Sequence, residues 1–235
     1  MAKDFLNNYI IAHRGLYDNK SIYENTIPAF KKAMDNNFAI ELDVRLTNDG
    51  KLIVFHDHNL KRLVNKPYIV KNSTYQELKN DIINIPTLKE VLKQVKGKVP
   101  IIIEIKTERN IKKIVDTTVE VLSNYKGEYH IKSFDYKIIK YLKKKYPEIS
   151  RGLLLSSKKD KLKLSLIYKV FIAKPNFISC NKKLLETKQI KSLRKRMPVI
   201  AWTVDTNEEN KRIKMYCDNT ICDVYKMKGN KLWKK

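Results

Sequence analysis

The feature that most narrows what this chain can fold into is an alternation. Strand-length apolar runs and helix-period segments follow one another along its whole length. Strands are expected at 8–12, 38–46, 99–105, 129–133, 151–155, 176–179, 199–204 and 220–224. Helices are expected at 26–34, 87–95, 110–123, 135–145, 162–171, 183–196 and 207–216. Pro28 in the first turn of one and the Thr87/Glu90 capping box of another mark their starts. Strands alternating with helices build a parallel sheet through helical crossovers. Eight such strands in 235 residues favour a closed (β/α)8 TIM barrel, a fold of about 250 residues, over an open doubly wound sheet. No Gly-x-Gly-x-x-Gly or phosphate loop supports the open form. Asn48-Asp49-Gly50 turns the second strand back into a hairpin partner at 52–55. An irregular insertion of about 57–85 follows, with a short helix near 75–79. No linker breaks the pattern, so residues 1–235 read as one barrel domain.

Charge and cysteine usage bound the partners. The chain has 49 Lys+Arg against 25 Asp+Glu, a formal net charge of +24. The lysines are spread throughout, and the densest runs, Lys143-Lys144-Lys145 and Arg194-Lys195-Arg196, fall at predicted helix ends, where the helix dipole favours cations. This reads as solvated helix surface and not as a specific nucleic-acid site. A weak contact with an anionic membrane is the other reading of the charge. Residues 162–173 read as a core helix or, failing that, an interfacial one; the stretch is too short to span a bilayer. Cys180, Cys217 and Cys222 form no Cys-x-x-Cys pair and no disulfide framework, so they read as plain thiols. The first eight residues lack an apolar core like that of a signal peptide, and a cytoplasmic location is expected. Oligomeric state is not encoded in any pattern.

In a barrel the chemistry sits at the carboxyl ends of the strands. His13 and Arg14 end the first strand, Glu41 and Asp43 lie in the second, and Glu104 and Lys106 end the third. Ser133 ends the fourth, and Trp202 and Thr203 lie near the end of the seventh. Residues two apart in a strand face the same way, so Glu41, Asp43 and Glu104 converge if those faces point into the barrel mouth. Converging carboxylates raise one another's pKa unless a cation sits among them. Oxygen-only ligation suits Mg²⁺ or Ca²⁺. Arg14 and Lys106 add positive charge fit for a phosphate. His13 and His56 suit a general acid and base, although each alone equally fits a hydrogen-bonded structural role. His58 and His130 read as structural.

The ordered string His13-Arg14-Gly15, Glu24-Asn25-Thr26, Glu41-Leu42-Asp43-Val44, Asp49-Gly50, His56-Asp57, Pro86-Thr87-Leu88, Glu104-Ile105-Lys106, Ser133-Phe134 and Ala201-Trp202-Thr203-Val204 resembles the glycerophosphodiester phosphodiesterases over nearly the full chain. The resemblance implies a TIM barrel and a divalent metal on Glu41, Asp43 and Glu104. It implies His13 and His56 as the acid/base pair, with Arg14 and Lys106 at the phosphate. It also implies cleavage of a glycerophosphodiester to glycerol 3-phosphate and an alcohol, with a cyclic phosphate made by the neighbouring glycerol hydroxyl as one route. Trp202 would wall the glycerol or alcohol side. The chain departs from the family's pattern at Asn36-Asn37-Phe38, at Leu63-Val64-Asn65 and at Cys222-Asp223-Val224-Tyr225, where a proline is lost. These are loop differences that bear on the choice of alcohol. Two other functions fit the sequence: a related barrel phospholipase or lyase acting on lysophospholipids at a membrane surface, and a non-catalytic anion-binding barrel.

Overall fold

A computed structural model of the protein describes residues 9–81, 85–108, 110–156 and 163–227. Asn8 and Leu162, where one expected strand and one expected helix begin, lie outside the described residues. The parallel strands are β1 (Ile11–His13), β2 (Ala39–Leu46), β4 (Ile101–Ile105), β5 (Tyr129–Ser133), β6 (Arg151–Leu155), β7 (Phe177–Asn181), β8 (Val199–Val204) and β9 (Asn219–Cys222). They pair in that order, and β9 pairs back onto β1, with Ile11 opposite Ile221, so the ring closes. The short β3 (Leu52–Val54) runs antiparallel along the far end of β2 as the expected hairpin.

Each strand buries both faces, and its alternation sorts the residues into two cores. Ile40, Leu42 and Val44 of β2 and Ile101, Ile103 and Ile105 of β4 pack outward against the helices. Ile11, Ala39, Ile102, Phe177, Ile200 and Ile221 meet inside the barrel as an apolar floor. Gly152 on β6 makes room for that floor: a Cβ there would lie 2.2 Å from Cε2 of Phe177.

Helices α1 (Ile27–Asp35), α4 (Leu88–Val95), α5 (Ile111–Leu122) and α6 (Tyr136–Lys145) follow the expected periodicity. The Thr87 hydroxyl accepts from Glu90 N–H while the Glu90 carboxylate accepts from Thr87 N–H, so the capping box forms. One expected helix divides. In place of one helix over 183–196 stand a 3₁₀ turn, Lys182–Leu184, and a separate α8 (Lys188–Arg194). The Asn181 side chain caps the first, and the Thr187 hydroxyl accepts from Ile190 N–H to start the second. The two local caps prevail over the continuous apolar period. Helix α7 (Lys163–Ala173) is not a fully buried core helix: Leu166 and Ala173 are buried, but Ile167, Tyr168 and Phe171 are exposed. Helix α9 (Asn207–Ile213) precedes β9.

Between β3 and α4 the chain forms α2 (Lys61–Val64), a 3₁₀ turn at Val70–Asn72 and α3 (Tyr75–Asp81). Its own small core joins Phe55, Leu60, Val70, Leu78 and Ile85 to Ile53 of the hairpin. No helix among the described residues is long and apolar enough to cross a membrane.

Candidate active site

The alternation that turns Ala39 into the barrel turns Glu41 and Asp43 the same way. It likewise aligns Ile102 with Glu104, Ile11 with His13 and Ile221 with Asp223. One step up from the apolar floor, the barrel interior is therefore charged. Carboxylate oxygens of Glu41, Asp43 and Glu104 lie within 4.8 Å of one another, and all three residues are buried. Glu41 is engaged at both oxygens: Lys132 Nζ sits 2.8 Å from Oε1, and Arg14 N–H donates to Oε2 at 3.1 Å. Lys106 Nζ lies 2.7 Å from Asp43 Oδ1 and also donates to Glu104. The Asn25 amide donates to Asp43 Oδ2 at 2.9 Å, and Arg14 Nε stands 3.4 Å from the same oxygen.

Burial alone would push the Glu41 and Asp43 carboxyls up. The Lys132 ammonium holds Glu41 below its ordinary value, and Lys106 with Arg14 holds Asp43 well below. Burial pulls Lys106 and Arg14 down, but the surrounding carboxylates outweigh it and raise both. Glu41 and Asp43 are thus held ionised despite their burial. Three buried, oxygen-donating carboxylates within reach of one centre fit a hard divalent cation, so these residues could hold a metal.

Each site histidine is oriented by a carboxylate. His13 Nδ1 lies 2.6 Å from Asp223 Oδ1, and His56 Nδ1 lies 2.7 Å from Asp57 Oδ1. A carboxylate only accepts, so Nδ1 carries the hydrogen in both rings. Burial favours the neutral Asp223 carboxyl, but the His13 bond and Lys226 bring it to about 2. Burial lowers His56 below its ordinary value. Lys226 Nζ ties Asp223 to Asp205, at 2.7 and 2.9 Å. On the other side, Arg62 Nε donates to Asp57 at 2.6 Å, and its NH1 donates to Glu24 at 3.1 Å. Glu24 also accepts from Arg14 at 2.7 Å. The segment from Asp57 onward therefore fastens His56 to the Arg14 side of the mouth. Arg14 and Asn25 both adopt positive φ, +56° and +57°, where Asn is tolerated far better than Arg.

Trp202 stands partly buried at the mouth, edge-on to Phe134 with ring centroids 5.6 Å apart. Its Nε1 is buried with no hydrogen-bond partner among the described residues. Ser133 faces away from the cluster: its Oγ donates to Ile105 O at 2.7 Å and ties β5 to β4. The His58 side chain meets its neighbour Asn59 at the surface, and its carbonyl accepts from Val70 N–H. His130 lies low in the barrel 2.8 Å from Ser150 Oγ, and burial pulls it down to about 4. The three cysteines are buried free thiols, raised by burial.

Sequence reasoning overlooked Lys132, Asp223, Asp57, Glu24, Asn25, Arg62 and Phe134 as site residues. Lys132 did carry a signal, being polar and two residues from His130 on one face of an apolar strand. Arg62 and Asp223 stand among the residues that match or border the family's motifs, but only the closed ring and the folded insertion bring them to the histidines.

A family model described as "Glycerophosphoryl diester phosphodiesterase family" matches residues 13–225. The chain belongs to this family. It is accordingly a phosphoric diester hydrolase, which sets aside a purely anion-binding barrel. A glycerophosphodiester phosphodiesterase of Caldanaerobacter subterraneus subsp. tengcongensis is 31% identical over 237 residues, covering 93% of this chain and 95% of that protein. The crystal structure of a glycerophosphodiester phosphodiesterase from Thermotoga maritima superposes with a TM-score of 0.79 at 29% identity, over 94% of this chain and 96% of that one. A phosphodiesterase from Oleispira antarctica, solved with the product sn-glycerol-3-phosphate, shares the fold at 22% identity and a TM-score of 0.79, over 94% of each chain.

Proposed function

We propose that this enzyme cleaves a glycerophosphodiester to glycerol 3-phosphate and an alcohol, with residues 1–235 acting as one barrel domain. The observation that carries the reading is the pairing of two carboxylate-oriented imidazoles with a buried three-carboxylate cage. His13 lies opposite Glu41 across β1 and β2, and Phe55 N–H, one residue before His56, donates to Asp43 O. The product held by the Oleispira protein supports the same product here.

Glu41, Asp43 and Glu104 would hold Mg²⁺ or Ca²⁺. When bound, that cation supplies positive charge beside the phosphoryl oxygens. Lys106 and Arg14 face the same space. An ammonium has three donors and a guanidinium five, so both keep donors for the phosphate after serving the carboxylates. His13 Nε2 takes the proton from the attacking hydroxyl, and Asp223 steadies the resulting imidazolium. His56 Nε2, once its ring is protonated, gives a proton to the departing alcohol, while Asp57 holds Nδ1. A glycerol hydroxyl already tethered beside phosphorus has a large effective molarity, which favours a cyclic phosphate that water then opens with the proton roles reversed. Trp202 and Phe134 wall the organic part of the substrate.

Purified protein incubated with glycerophosphocholine and Mg²⁺ or Ca²⁺ should release glycerol 3-phosphate, and chelator should stop it. Absence of product with every metal would overturn the reading. A second reading keeps the site but changes the substrate source to lysophospholipid at an anionic membrane. The exposed Ile167, Tyr168 and Phe171 of α7 favour it.

A further inference from the structure

We propose that Lys132 is a built-in competitor for the cation in the Glu41–Asp43–Glu104 cage, and that it makes cation binding depend on a phosphate arriving with it. The inference rests on the reading of those three carboxylates as metal ligands.

Lys132 springs from within β5, opposite Glu104 in register, and not from a loop. Its neighbour Ile131 packs outward on the helices, so Lys132 points into the barrel. It is 2% exposed. Its Nζ lies 2.8 Å from Glu41 Oε1 and 3.9 Å from Glu104 Oε2. A buried ammonium needs such a partner, because desolvating it unpaired is costly.

Two consequences follow from that position. First, Glu41 has no idle oxygen: Lys132 occupies Oε1 and the Arg14 amide occupies Oε2. A cation ligated by Glu41 must share lone pairs with Lys132. Second, the three cage carboxylates already face three side-chain cations: Lys106, Lys132 and Arg14. A divalent ion therefore leaves the mouth with excess positive charge. A phosphodiester or phosphomonoester anion relieves that excess. Lys132, 2% exposed within β5, stays beside the cage and cannot withdraw its charge to solvent.

The test is calorimetric titration of Mg²⁺, and separately Ca²⁺, into wild type, Lys132→Met and Lys132→Gln, with and without glycerol 3-phosphate. Removing a cation this close to the ligands should tighten metal binding about tenfold or more in the absence of phosphate. Structural damage would weaken binding, so a gain cannot come from misfolding. Glycerol 3-phosphate should tighten metal binding to wild type more than to either variant. Lys132→Arg, which keeps the charge, should bind metal as wild type does. Metal binding that is unchanged or weaker in folded Lys132→Met or Lys132→Gln overturns the proposal while leaving the cage reading intact. Metal binding that is undetectable in wild type and variants alike, or undiminished in Glu41→Gln, overturns the cage reading and the proposal with it.

Discussion

At the scale of single residues, the site works by pairing each titrating group with a fixed partner. On the proposed mechanism His13→Ala and His56→Ala each remove one proton carrier, so turnover of glycerophosphocholine should fall on the order of 10²–10⁴-fold in both. Circular dichroism melts should show the fold retained, and full activity in both variants would sink the acid/base assignment. Asp223→Asn tests the orienting partner in a different way. The folded-state pKa of Asp223 is depressed to about 2, below the ordinary carboxylate value of 3.8. Its stabilisation is therefore complete above pH 3.8 and is lost as pH falls from there through about 2. The linkage amounts to about 2 kcal/mol. Chemical denaturation across that range should show wild type losing this increment and Asp223→Asn, already without it at neutral pH, running flatter; parallel curves would refute the coupling. The acids and histidines themselves were readable because each stands in or beside an apolar strand, where a charged residue needs a reason. Their partners were not. Asp223 lies 210 residues from His13, and Glu24 lies 38 residues from Arg62. A single sequence gives no measure of such distances.

At the scale of elements, strand position was readable almost to the residue, because burial on both faces leaves continuous Val, Ile and Leu runs. The expectations for β5, β6 and β8 coincide with the observed Tyr129–Ser133, Arg151–Leu155 and Val199–Val204. Helices were less secure wherever local side-chain caps compete with periodicity, as at Asn181 and Thr187 before α8. Cap strength is itself testable. Thr87→Ala removes the acceptor for Glu90 N–H and should cost about 1 kcal/mol in denaturant unfolding. On α7 the exposed apolar residues give the lipid-surface reading a direct test. Ile167→Ser with Phe171→Ser should reduce pelleting with anionic vesicles and leave turnover of soluble glycerophosphocholine unchanged. If wild type does not pellet, or the double variant pellets equally, the membrane contact is not made by this face.

At the scale of the whole molecule, a net charge of +24 means that the folded chain repels itself. Raising ionic strength from about 0.01 M to 0.15 M shortens the Debye length from about 30 Å to 8 Å. The melting temperature should rise over that range; a fall would mean that attractive ion pairs outweigh the general repulsion. The ring has one more consequence. β1 and β9 meet where the circle closes, and the same junction joins His13 to Asp223. β1 thus waits for β9 before the His13 imidazole meets its carboxylate partner. Until then, a nascent chain carries the clustered acids of β2 and β4 but no carboxylate partner for His13. On the proposed acid/base roles, activity should appear only once β9 has joined β1, so its onset during translation or refolding times the closure of the ring.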